Sequence, residues 1–202
     1  MLVYESVTLF TNKSVFFPRT SERNTLNRLN RNRERKIVKY QLPGKIKNKE
    51  MKVNILIQAS LGCMQIPDIS LNMEAPHLLW LASRIATCLV EVVIHDPKKI
   101  KDHTLVKSSL LLAKSLSCGI WADSEMVCKQ VDKVGLVLSR LVAEGGYKDV
   151  ISIAQADPRM LELAARKTPP FGNKLRDWAA KLPRYKIRVE MIDVSRTSVN
   201  AR

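Results

Sequence analysis

The stretch Asn48–Met64, NKEMKVNILIQASLGCM, decides how this chain is built, because it satisfies two incompatible periods. Met51, Val53, Ile55, Ile57, Ala59 and Leu61 alternate with Lys52, Asn54, Gln58 and Ser60, the pattern of a half-buried strand. Val53, Leu56, Ile57, Leu61 and Met64 also fall on one face of a helix. Three neighbours arbitrate. Asn48 is a residue type that caps helix N-termini, Gly62 one that ends helices, and Pro67 blocks any extension. The span between the two caps is long for a strand and ordinary for a helix, so the segment is read as a helix.

The surroundings of this apolar segment are strongly basic. The chain has 202 residues and a net charge of +15, with a pI near 9.9. Residues 1–53 alone hold thirteen Lys and Arg against four acids, and RLNRNRERK (Arg28–Lys36) is the densest run. An excess of this size points to nucleic acid, an anionic surface or an acidic protein, although such a run also serves as a plain solvated arm. The apolar share of 46% suffices for a packed core.

Outward from the deciding helix, NTLNRLNRN (Asn24–Asn32) reads as a short basic helix or an irregular stretch. RKIVKYQL (Arg35–Leu42) reads as a short strand stopped by Pro43-Gly44. Downstream, Met73–Pro97 is the strongest helix, with Pro76 in its first turn and an apolar stripe of Leu78, Leu81, Ile85, Cys88, Leu89 and Val92. A further helix runs over His103–Trp121 and ends near Gly119, and another spans roughly Ser124–Glu144 up to Gly145-Gly146. Shorter pieces follow, with Asp157 capping a helix that opens at Pro158. RYKIRVEMIDV (Arg184–Val194) alternates as a strand with no partner downstream, as though the chain stopped inside a β module.

Several chemistries have no motif here. There is no phosphate loop, no G-x-S-x-G elbow, no H-E-x-x-H and no paired-carboxylate pattern. His77, His95 and His103 are too scattered for a ligand set. Cys63, Cys88, Cys118 and Cys128 lack C-x-x-C spacing and sit in apolar surroundings, as buried thiols of an intracellular protein would. Glu91 interrupts the longest apolar run, so no membrane span is expected, and MLVYESVTLF lacks the basic start of a signal peptide. The chain is read as non-enzymatic on its own.

The order of the pieces resembles the Sec-sixty-three-like C-terminal region of Ski-two-like superfamily-two helicases, and within them the meiotic crossover DNA helicases of the Mer-three type. The resemblance rests on LNRLNRN, GKIKNKEMKVNILIQASLGCMQIPD, Ser83–Ile85, LLLAKSLSCGIW, KQVDKVGLVLS and PPFGNKLRDWAAKLPRYKIRVE, from about Arg19 to Asp193. It implies a mainly α fold: a basic N-terminal arm (1–34), a helical bundle (35–123), a helix-loop-helix region (124–183) and the first strand of a truncated immunoglobulin-like β module (184–202). The bundle would begin with a short N-terminal strand. The long helix, 73–95, would be a ratchet facing a translocated single strand.

By the same resemblance, His77 and Arg84, seven apart, take the places of an aromatic and a basic residue on the ratchet's inner face, with Trp80 beside them. The competing view makes Trp80 core and pairs Arg84 with an acid. Lys148 in GGYKDV, and Lys174 and Arg176 in PPFGNKLR, would stand at glycine turns opening onto helix N-termini, where backbone N–H groups can cradle phosphate. Turning the chain is the glycines' simpler use. The resemblance implies a partner in single-stranded or branched DNA, no membrane, and a nuclear location. ATP and magnesium would belong to motor domains this sequence lacks, so the chain would be a fragment or a short paralogue. The alternative from another class is a protein-interaction scaffold, which relatives of this region also provide.

Overall fold

The computed structural model describes residues 17–32 and 38–183, with 185, 188, 191–194 and 199–201 beyond them. The start of the basic arm and the Arg33–Lys36 part of its densest run lie outside the described residues.

Helix α1 (Arg23–Arg31) is not part of a free arm: Leu26 and Leu29 enter the same core as the bundle. Helix α2 (Lys49–Leu61) forms where the cap residues predict it. Its ambiguous period has a physical cause. Lys52, Val53, Ile55, Leu56, Ile57, Gln58, Ala59 and Leu61 are all buried, so the helix is wrapped on every side and no polar face sets its phase. The charge inside is held by an ion bridge. The Lys52 ammonium is fully buried, 2.8 Å from Glu22 Oε2 and 2.8 Å from Glu74 Oε2, and so ties α1, α2 and the next helix together.

Of the short N-terminal strand expected over Arg35–Leu42, residues 38–42 form bends and irregular backbone with no strand ladder, and Arg35–Ile37 lie outside the described residues. Two side-chain amides take the place of a neighbouring strand. The Tyr40 N–H donates to Gln58 Oε1 at 2.8 Å while Gln58 Nε2 donates back to the Tyr40 carbonyl at 2.7 Å. Asn30 does the same for Leu42, at 2.9 and 2.8 Å. The backbone is thereby satisfied without a ladder.

Helix α3 (Ile69–His95) begins four residues earlier than the sequence suggests, because Asp68 caps it and accepts the Leu71 N–H at 3.0 Å. Pro76 therefore sits inside the helix, not in its first turn; the carbonyl it cannot engage belongs to exposed Asn72, where water can serve. The buried line is Leu71, Ala75, Leu78, Ala82, Ala86 and Val93. The stripe read from the sequence is rotated from this line: Leu81, Ile85 and Leu89 are half-buried, while Cys88 and Val92 are exposed. Alanines on the inward line permit close helix approach, which the search for large apolar residues overlooks. By length and composition α3 is apolar enough to cross a bilayer in spite of Glu91, a correction to the sequence reading. Here its inward line packs on protein and Glu74 joins the buried ion bridge.

Helix α4 (His103–Cys118) returns along α3 as a hairpin, with Ser117 Oγ 3.0 Å from Ser83 Oγ. Asp102 caps it through the Thr104 and Leu105 N–H groups, and Gly119, at φ +66°, ends it.

A second core gathers Cys128, Val134, Val142, Ile153, Leu161, Ala165, Leu175 and Ala179. Burial there pushes the Cys128 thiol up to about 11. The elements around it are a 3₁₀ turn (Val127–Gln130), α5 (Leu136–Glu144), α6 (Val150–Gln155), α7 (Pro158–Ala165) and α8 (Phe171–Lys181). The single helix expected over Ser124–Glu144 is thus broken, since Lys133 takes a left-handed φ of 62° and α5 starts only after Gly135. Lys129 joins the two cores: its ammonium donates to the Gly119 carbonyl at 2.8 Å and to the Ser60 carbonyl at 3.4 Å, a cation at two helix C-terminal ends.

At the C-terminal end, β1 (Met191–Val194) pairs antiparallel with β2 (Val199–Ala201), so the strand read as partnerless has a downstream neighbour. Arg184, Lys186, Ile187, Val189 and Glu190 lie outside the described residues.

Candidate nucleic-acid interface

The exposed side of α3 lies opposite its buried line. Positions 77, 80 and 84 share it because three- and four-residue steps return to one helical face. His77 and Trp80 stack, with ring centroids 6.3 Å apart and planes inclined by 22°. The Arg84 guanidinium lies over the Trp80 ring, 4.9 Å from its centroid. Trp80 remains 54% exposed, and no acid pairs with Arg84 among the described ion pairs. The structure therefore brings all three residues together on open surface, against the alternative of a core tryptophan and a paired arginine. Such a cluster offers flat aromatic surface and a delocalised cation side by side, the combination that holds unpaired bases.

The residues expected in the helix-loop-helix region stand apart, in the shell of the second core. Lys148 is exposed and pairs with Glu125 at 3.0 Å. The adjacent end of α6 is already filled, since the Ser152 N–H donates to Asp149 at 2.7 Å in a capping box. Lys174 is exposed and Arg176 half-buried on α8. There the Gly172 N–H donates to the buried Glu162 carboxylate at 3.0 Å. A Cβ on Gly172 would lie 1.9 Å from the Pro158 carbonyl oxygen, so this glycine is required for the close approach of α8 to the start of α7. Both turns carry a carboxylate of the protein where a phosphate would sit. The geometry supports their turning role.

A cleft of about 1050 Å³ opens beside Trp121, between the bundle and the second cluster. Its charges balance. Lys39 pairs with Asp123, whose carboxyl that hydrogen bond holds below its ordinary value, and Lys148 pairs with Glu125; Arg140 and Glu144 complete the lining. The cleft thus has no marked field for an anion. Trp121 is buried, with the Lys39 ammonium 4.9 Å from its ring centroid. Trp178 is half-buried against the second core.

Sequence reasoning missed Ile69 and Met73, which are 79% and 75% exposed on the same side of α3 as Trp80. The signal was Asp68, an N-cap residue three positions before Leu71. It also missed the fully buried Lys52, whose place in an alternating pattern marked it as solvent-facing.

The Sec63 Brl domain family model matches residues 14–202. The human "Probable ATP-dependent DNA helicase HFM1" is 37% identical over 174 residues, which is 86% of this chain and 12% of that protein. The Arabidopsis thaliana "ATP-dependent DNA helicase homolog MER3" is 32% identical over 190 residues, 90% of this chain and 16% of that protein. The Saccharomyces cerevisiae "ATP-dependent DNA helicase MER3" is 24% identical over 148 residues, 69% of this chain and 12% of that protein. The chain thus spans only a small part of the length of these relatives. On the match across nearly its whole length, the chain belongs to the Sec63 Brl domain family.

Proposed function

We propose that this chain is the strand-guiding, non-catalytic segment of an ATP-dependent DNA helicase of the meiotic crossover type, acting in the nucleus on single-stranded or branched DNA. The observation that carries this reading is the exposed His77–Trp80–Arg84 cluster on a long helix braced from behind. In this reading α3 holds bases through Trp80 and Arg84 and hinders backward slippage. The helicase names of the relatives support it, as does the net charge of +15. ATP and magnesium belong to motor segments in the same polypeptide or in a partner, and the chain alone hydrolyses nothing.

Anisotropy of a fluorescent oligothymidine with the 202-residue chain tests the reading. Binding should weaken steeply as salt rises, since phosphate contacts release counterions. Trp80→Ala with Arg84→Ala should weaken it about tenfold or more, the loss of about one stacked base. No binding even at low salt would overturn the proposal.

A second reading, a protein scaffold, is favoured by α4, where Leu110 and Leu111 are 47% and 43% exposed between Lys107 and Lys114. If the α3 double variant leaves strand binding intact while Leu110→Ser with Leu111→Ser abolishes capture of a purified partner, the scaffold reading prevails.

A further inference from the structure

The connection between α7 and α8 is the five-residue run Arg166–Pro170, and every residue of it is exposed. Arg166 turns the chain out of α7 with a left-handed φ of 53°, and the Phe171 N–H donates to the Thr168 carbonyl at 3.3 Å. The Thr168 hydroxyl has no hydrogen-bond partner among the described residues. Pro169 follows it directly. Of the nine prolines in the chain, Pro169 alone is preceded by a serine or threonine. A proline at that place brings no N–H of its own and disfavours a helical Thr168. An exposed hydroxyl on non-helical chain, followed by proline, is what the cleft of a proline-directed kinase accepts.

The surroundings are cationic and uncommitted. Arg166 and Lys167 immediately precede Thr168, and Lys174 stands in the first turn of α8. All three are exposed, and none pairs with an acid among the described ion pairs. Two acids on the same helices are engaged elsewhere: Asp157 accepts the Arg159 N–H at 2.9 Å and Glu162 the Gly172 N–H at 3.0 Å. Asp177 lies nearly a turn beyond Lys174.

We propose that Thr168 is a phosphorylation site for a proline-directed protein kinase, and that Arg166, Lys167 and Lys174 hold its phosphate. In the transfer, the Thr168 Oγ attacks the γ-phosphorus of ATP bound to the kinase. The Oγ–P bond forms as the bond to the β,γ-bridging oxygen breaks, ADP leaves, and the hydroxyl proton passes to the kinase's base. The product carries a charge of about −2 and three strong acceptor oxygens. Among three free cations it makes charge-assisted hydrogen bonds that tie the end of α7 to the start of α8. It also takes those cations away from any other polyanion. That last consequence, a weaker hold on DNA, rests on the strand-guiding reading above.

The intact 202-residue chain should be incubated with a purified proline-directed kinase and ATP, and the product mapped by tandem mass spectrometry. A phosphate on Thr168, absent from Thr168→Ala, is expected. No phosphate at Thr168 of the folded chain would overturn the site. The ³¹P resonance of the product then follows the second dissociation of the phosphate. Its midpoint should rise by roughly 0.5–1 pH unit in Lys167→Gln/Lys174→Gln, because nearby cations favour the dianion. An unmoved midpoint would overturn the pairing with the cations.

Anisotropy with oligothymidine completes the test. The phosphorylated chain should bind about three- to tenfold more weakly at low salt, with a shallower salt dependence. Equal binding by the two forms would overturn the effect on DNA and leave the strand-guiding reading standing. No binding by the unmodified chain would overturn that reading and the effect with it, while the first two measurements still judge the site.

Discussion

At the scale of single residues, Lys52 carries more of the architecture than any surface charge. Its ammonium joins three helices and is the cation that touches both Glu22 and Glu74, while Arg19 reaches only the other oxygen of Glu22 at 3.6 Å. Removing one partner of a buried ion bridge leaves the others uncompensated, which typically costs about 3–5 kcal/mol. Lys52→Met should therefore lower the unfolding free energy by that order in a urea titration at neutral pH, far more than Lys174→Met on the exposed face of α8. A loss no larger than that of Lys174→Met would mean that the bridge is dispensable. Nothing in the local sequence announces this role, because Lys52 sits at a polar position of an alternating pattern and its partners lie 30 residues before and 22 after it. Trp80 is the opposite case. Its neighbours at three and four residues' distance on a helix are its neighbours in space, so spacing shows that His77, Trp80 and Arg84 share a face once the resemblance to the helicase family has singled them out.

At the scale of elements, legibility follows the range of the interactions that stabilise each one. Helix α2 is legible because Asn48, Gly62 and Pro67 bound it locally, and α4 because Gly119 ends it in a left-handed turn. The irregular segment at Tyr40–Leu42 is not, because its hydrogen-bond partners are the side chains of Gln58 and Asn30, 18 and 12 residues away. The start of α3 is shifted by a cap outside its apolar pattern, and the break before α5 depends on a left-handed Lys133, a residue type without such a preference. The glycine turns teach a similar lesson. Gly172 looks like a phosphate-cradling residue in sequence, yet its N–H is taken by Glu162 and its missing side chain by Pro158. Gly172→Ala should force α7 and α8 apart and destabilise the second cluster by about 1–3 kcal/mol or more, read as a lower midpoint in thermal unfolding. An unchanged midpoint would show that the helix contact yields easily.

At the scale of the whole molecule, two cores are joined at Lys129, and one long helix presents its outer ridge to solvent while its inner line is packed. The bundle order was read through a resemblance to a helicase family, and the Sec63 Brl domain family model covers residues 14–202 of the same chain. The outer ridge is the surface on which the proposed activity depends. The most direct test is to photocross-link an oligothymidine carrying 5-iodouracil to the 202-residue chain and map the adduct by mass spectrometry. Adducts on the α3 ridge, at Trp80, His77 or Met73, are the expected result. Adducts confined to other elements, with none on α3, would contradict it.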